Sequence, residues 1–219
     1  MNDIKQIFAL METELLLEFR NKFSLASIML FAVVTVFIVF KAFNQFSPMS
    51  WNVLYWVVLL FISTNAVLKT FSVERSRTGI YYYSLLDPYK VIISKILYNF
   101  LLLFVMGILT FGLFRYFTFN PVTKYLIFFG DLALVSLGLS IVFSFASAIA
   151  NGESNSGVLI SILGLPLILP ILLMGIKIST IAMGITVDSQ VATDFIILSA
   201  IDMMLAGLVI ILFPILWKS

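Results

Sequence analysis

Apolar residues run along the chain in six long blocks: Ser24–Phe43, Trp51–Thr70, Ile93–Phe114, Tyr125–Ile149, Gly157–Lys177 and Phe195–Trp217. Each is about 20 residues or longer, the length a helix needs to cross a hydrocarbon layer ~30 Å thick. None alternates with frequent turns, so a membrane β-barrel is not predicted. The longest connection between blocks is the stretch Phe71–Ile92. Ahead of the first block the pattern changes. Within Asn2–Arg20, Ile4, Phe8, Met11 and Leu15 recur at helical spacing, and Leu10 and Leu17 widen the apolar side. Lys5, Glu12, Glu18 and Arg20 are left for water, which predicts an amphipathic helix lying in the membrane interface. No internal repeat and no soluble domain is visible. The whole chain, 1–219, therefore reads as one all-α membrane domain of six transmembrane helices preceded by an interfacial helix.

Composition strengthens this picture. Hydrophobic residues make up 62% of the chain and charged residues 11%, against about 25% charged in an ordinary soluble protein. A chain this apolar cannot hide its surplus in one water-facing globule. The net charge of +2 and the lack of a basic run leave no stripe for tracking phosphates, so nucleic acid is not expected as a partner. There is no His and no Cys, which removes thiol redox chemistry, thiolate metal sites and His acid–base catalysis. No metal site is expected, and haem would find only Met or Tyr as axial ligands. The acid- and base-bearing start does not resemble a cleavable signal, so the first span is expected to be retained.

Basic residues near the block ends set an orientation. With the N-terminus inside, Lys5, Arg20, Lys22, Lys69, Arg75, Arg77, Lys90, Lys95 and Lys218 are cytoplasmic, while Lys41, Arg115, Lys124 and Lys177 are outside. Nine against four favours cytoplasmic positions for both termini.

Polar features inside this frame are the candidates for function. Between the second and third blocks, Glu74, Arg75 and Arg77 precede an aromatic stretch, Ile80–Leu86, that Asp87-Pro88 terminates. A short helix lying flat on the membrane would place Tyr81, Leu85 and Leu86 toward lipid or a partner's groove. A solvated positive-inside loop with interfacial tyrosines accounts for the same residues without a partner. Pro166 and Pro170 each remove a backbone donor from the fifth block, predicting a bend that is a static kink, a hinge or part of a substrate lining. Asp131 and Asp202 lie within apolar runs and should face the bundle interior. For both, the lining of a substrate path or a proton site stands against a helix-packing contact; the packing reading is preferred for Asp131 and the functional one for Asp202. Gly152-Glu-Ser-Asn-Ser-Gly157 has the glycine spacing of a phosphate loop, but Val158 and Leu159 stand where Lys and Ser/Thr are required. No catalytic residue is identified, so any ATP hydrolysis must come from another chain.

The order of these features resembles one known family. An amphipathic helix ending Leu17-Glu-Phe-Arg20 precedes six spans, with a loop Phe71…Glu74-Arg75…Gly79…Leu85-Leu86-Asp-Pro88 between the second and third. A small-residue turn, Ala146-Ser-Ala-Ile-Ala-Asn-Gly152, then leads into Leu165-Pro166-Leu-Ile-Leu-Pro170. This is similar, end to end, to the CcmB family, the permease of the haem-exporter ABC complex of bacterial cytochrome c maturation. The resemblance implies an ABC-2-type permease-like fold in the bacterial inner membrane, with a homodimeric core. It also implies a separate CcmA-like ATP-binding subunit and CcmC-like and CcmD-like membrane subunits. In that family ATP hydrolysis is coupled to release of the haem-loaded chaperone, CcmE. ATP would then act through the partner, and haem would be cargo rather than a resident cofactor. By analogy with ABC-2 permeases, Asn2–Arg20 would be the elbow helix. Glu74, Arg75, Arg77, Tyr81, Leu85 and Leu86 would form the coupling segment. The turn after the fourth span carries Asn151, Glu153 and Asn155 where the family often has basic residues, a departure that weakens a second cytoplasmic contact there. The alternatives are an ABC-2-type exporter of a lipid or drug, and a membrane scaffold that assembles partners without transporting.

Overall fold

A computed structural model describes residues 3–20, 22–42, 46–77, 87–149, 156–186 and 190–217. Seven helices account for nearly all of them: α1 (Asp3–Arg20), α2 (Lys22–Ala42), α3 (Pro48–Arg77), α4 (Pro88–Phe117), α5 (Tyr125–Ile149), α6 (Ser156–Ala182) and α7 (Val191–Trp217). Helices are the expected outcome for uninterrupted apolar sequence, because lipid offers no partner for an unpaired backbone amide. Five described stretches are long and apolar enough to cross a membrane: Pro48–Ala66, Pro88–Phe117, Tyr125–Ala146, Gly164–Ala182 and Val191–Phe213. In α2 the described side chains give a shorter apolar stretch, Ala26–Ala42. The protein is an all-α, multi-pass membrane protein.

At one end of the bundle the helices are tied together closely. Trp51, Tyr55, Trp56, Phe114 and Phe128, from α3, α4 and α5, are each fully shielded or nearly so. Trp51 stacks on Tyr55 with centroids 5.4 Å apart and meets Phe114 edge-on at 5.3 Å, while Tyr55 and Phe111 each reach Phe128 at 5.2 Å. Trp51 and Tyr55 can act together because a spacing of four places them on one helix face. The Trp51 indole also donates to Thr118 Oγ1 at 3.0 Å, joining the start of α3 to the end of α4. At the same end, Phe37 and Phe40 of α2 pack on Phe117 of α4.

The C-terminus of α6 closes this end. Gly184 takes the left-handed conformation at φ 72°, which lets its amide reach Ile181 O and the Ile185 amide reach Thr180 O, both at 3.0 Å. That is the paired arrangement of a glycine-stopped helix. Ala182 O receives further donors from the turn between α4 and α5: the Thr123 amide at 3.1 Å, the Lys124 amide at 2.9 Å and the Thr123 hydroxyl at 2.9 Å.

At the opposite end, α1 lies against α4 and α2. Lys90, in the first turn of α4, donates to Gln6 Oε1 of α1 at 2.7 Å. The half-buried side of α1 is Ile7, Leu10, Met11 and Leu15, while Phe8 is 55% exposed and Leu16 58%. The apolar stripe therefore differs from the expected one at Phe8. The helix uses one apolar face for the bundle and leaves Phe8 and Leu16 on another, as a helix wedged between protein and lipid requires.

Candidate functional site

Among the described residues, Asn52, Ser63, Asn99, Asp131, Ser136, Ser179, Asp194 and Asp202 are buried polar groups within or beside apolar helices. Two carboxylates dominate this set, and they are held differently.

Asp131, on the second turn of α5, is completely buried. The Ser179 hydroxyl of α6 donates to Asp131 Oδ2 at 2.6 Å, and the Trp56 indole of α3 donates to Ser179 Oγ at 3.0 Å. Indole is a donor only, so Ser179 must accept from Trp56 and pass its single proton toward Asp131. The chain of donors thus has one direction and ends on the carboxylate. Gly175 permits the crossing: a methyl group there would stand 2.7 Å from Val135 Cγ2 and 3.6 Å from both Asp131 Oδ1 and Trp56. One turn away along α3, Asn52 Nδ2 donates to Ile176 O at 2.9 Å. Polar bonds over small residues are the usual adhesive of membrane helices, where apolar burial gives helices little preference for each other over lipid. Asp131 thus joins α5 to α6 directly and to α3 through Ser179.

Asp202, near the middle of α7, is 3% exposed and neither carboxylate oxygen has a hydrogen-bond partner among the described residues. It sits where α7 crosses α5 and α6. A methyl group at Gly138 would collide with Asp202 Oδ1 and lie 3.0 Å from Ile171 Cδ1. The absent side chain of Gly138 is the space the carboxyl occupies.

A third carboxylate was not legible as a site in the sequence. Asp194, in the first turn of α7, is 1% exposed and accepts from Lys177 Nζ of α6 at 2.7 Å. Negative charge in a first helical turn is favoured by the helix dipole, and the half-exposed Lys177 keeps contact with the polar zone. In the other half of the bundle, Asn99 of α4 donates to Ser144 Oγ of α5 at 2.9 Å. Asn52, Asn99, Ser179 and Asp194 all interrupt apolar runs or cap them, and that was the available signal. Their partners lie on other helices, which no local pattern reveals.

Both prolines lie inside α6, which is assigned as helix without a break. Their spacing of four puts them on one face, and that face is exposed together with Leu165 and Leu169 rather than turned into the bundle. Proline cannot donate, so the carbonyls of Ile162 and Pro166 lose their usual helical donors at positions 166 and 170. Helix α3 continues through Glu74, Arg75 and Arg77, whose side chains lie outside the described residues, as do Tyr81, Leu85 and Leu86 altogether. The structure thus brings Asp131 to α3 and α6, Asp202 to α5 and α6, and leaves the two prolines on an outer face. Among the described residues no group of three His, Cys, Asp or Glu could hold a metal ion.

A bundle of apolar helices joined by buried polar groups is that of a multi-pass membrane protein. The sequence pattern of the CcmB protein family matches residues 5–215. The chain belongs to the CcmB family. No curated protein sequence matches it. At the level of the family it is a non-catalytic permease subunit of the haem-exporter ABC system of cytochrome c maturation, one of several subunits of that system.

Proposed function

We propose that this chain is the membrane half of an ATP-driven complex. A separate CcmA-like ATPase acts on it from the cytoplasm, and CcmC-like and CcmD-like subunits sit beside it in the bacterial inner membrane. Two copies form the permease core, each with six spans, α2 to α7, and both termini cytoplasmic. The work done is haem handling, as passage of haem or as release of a haem-loaded chaperone. Asn2–Arg20 serves as the elbow helix, and the segment Glu74–Leu86 receives the ATPase.

One observation carries the coupling assignment: the length of α3. At 30 residues the helix is about 45 Å long, against ~30 Å of hydrocarbon. Its apolar run in the sequence is Trp51–Thr70, so the last turns of the helix, bearing Glu74, Arg75 and Arg77, extend past that run. A rigid helix that is buried among aromatics at one end and charged at the other can carry a push between them.

Replacing Arg75 and Arg77 together by Glu should reduce the ATPase recovered with the gently purified protein by about tenfold, equivalent to ~1.4 kcal/mol. Membrane insertion should be unchanged. Full ATPase recovery with the double variant would remove the segment from the docking surface.

A further inference from the structure

We infer that Asp202 is an intramembrane proton-binding site, holding a neutral carboxyl in the notch left by Gly138. The inference is independent of how the ATPase docks.

The argument starts from position. Asp202 lies about 16 Å along α7 from its start, near the centre of a hydrocarbon layer ~30 Å thick. A carboxylate at such a depth is costly unless a cation or donors meet it. The elements packed against α7 are α4, α5 and α6. Their charged groups are few: Lys90, Lys95 and Arg115 on α4, Asp131 on α5 and Lys177 on α6. Lys177 is paired with Asp194 at 2.7 Å. Lys90 is bonded to Gln6 at the bundle end, and Arg115 is in the last turn of α4. Lys95 and the buried Tyr98 hold contacts of their own and donate nothing to Asp202. The remaining tyrosines on these helices, Tyr89, Tyr116 and Tyr125, lie at helix ends and are exposed. Asp131 is a second acid, two turns along α5 from Gly138, and can only disfavour a negative charge at Asp202.

Among the described residues nothing donates to Asp202 or compensates an anion there, and one of its oxygens lies in the notch at Gly138 that Ile171 also borders. A protonated acid suits that seat; an ionised one needs water. Occupying the notch at Gly138 sets one carboxyl oxygen against the α5 backbone.

The test uses the full-length protein in detergent, with size-exclusion profiles confirming that each variant is folded. Infrared spectra of protein labelled with ¹³C-aspartate should show a protonated-carboxyl stretch at neutral pH. That stretch should be lost in Asp202→Asn and retained in Asp131→Asn. A spectrum in which Asp202→Asn removes no protonated-carboxyl intensity would overturn the inference. Thermal stability gives a second, independent reading. A folded state that keeps a proton the unfolded chain has released loses stability as pH rises above about 4. Relative to Asp202→Asn, the native protein should lose stability over that range. Parallel curves would again overturn the inference.

Discussion

Asp131 and Asp202 share a residue type, full or nearly full burial, and a place beside a glycine on a neighbouring helix. Asp131 terminates a donor chain from Trp56 through Ser179 that links three helices. Asp202 receives no donor from any described residue and fits only because Gly138 has no side chain. A buried acid can thus be a fastener or a guest. Which it is depends on the donors around it, and burial alone does not distinguish the two.

Substitutions separate these roles, read as thermal unfolding of the purified protein. Trp56→Ala should be the most damaging, about 3–5 kcal/mol, since it opens a cavity in the aromatic cluster and strips the donor chain of its first member. Asp131→Leu should cost ~1–3 kcal/mol by leaving the Ser179 hydroxyl without its acceptor. Asp202→Leu, by contrast, should be close to neutral, because losing a partnerless acid offsets the crowding of a bulkier side chain beside Gly138. Equal losses for the two leucine variants would erase the distinction between fastener and guest. Ser179→Ala, which cuts the chain but spares its ends, should fall between the leucine variants at ~0.6–1.7 kcal/mol, the range of hydrogen bonds between membrane helices.

The helices themselves were largely written in the sequence. Runs such as Tyr125–Ile149 have no breaker or charge run to stop them, and α5 has those bounds. Helix ends were harder. Helix α3 extends past Thr70 because nothing in Phe71–Arg77 forbids a helix, although the apolar signal has ended. Helix α6 passes Lys177 and ends at Ala182, stopped by the left-handed turn that Gly184 alone permits so readily. Asp131 and Asp202 stood out as charges in apolar runs, but the sequence did not show that one meets Ser179 and the other Gly138. Those partners are distant in the chain and are set by how α5, α6 and α7 cross. For the prolines, chemistry predicts a weakened ladder, and their exposed face becomes apparent only once α6 is packed.

The rim at Ala182 has a consequence for how the chain is made. Thr123 and Ala182 are 59 residues apart, and synthesis proceeds at roughly 5–20 residues per second. The turn between α4 and α5 therefore reaches its destination several seconds before the carbonyl that will receive its amides. During that interval the Thr123 and Lys124 amides must be served by water or by the insertion machinery. The rim is thus stitched shut late in biogenesis, and a ribosome stalled between those two positions would leave a nascent bundle with an open seam.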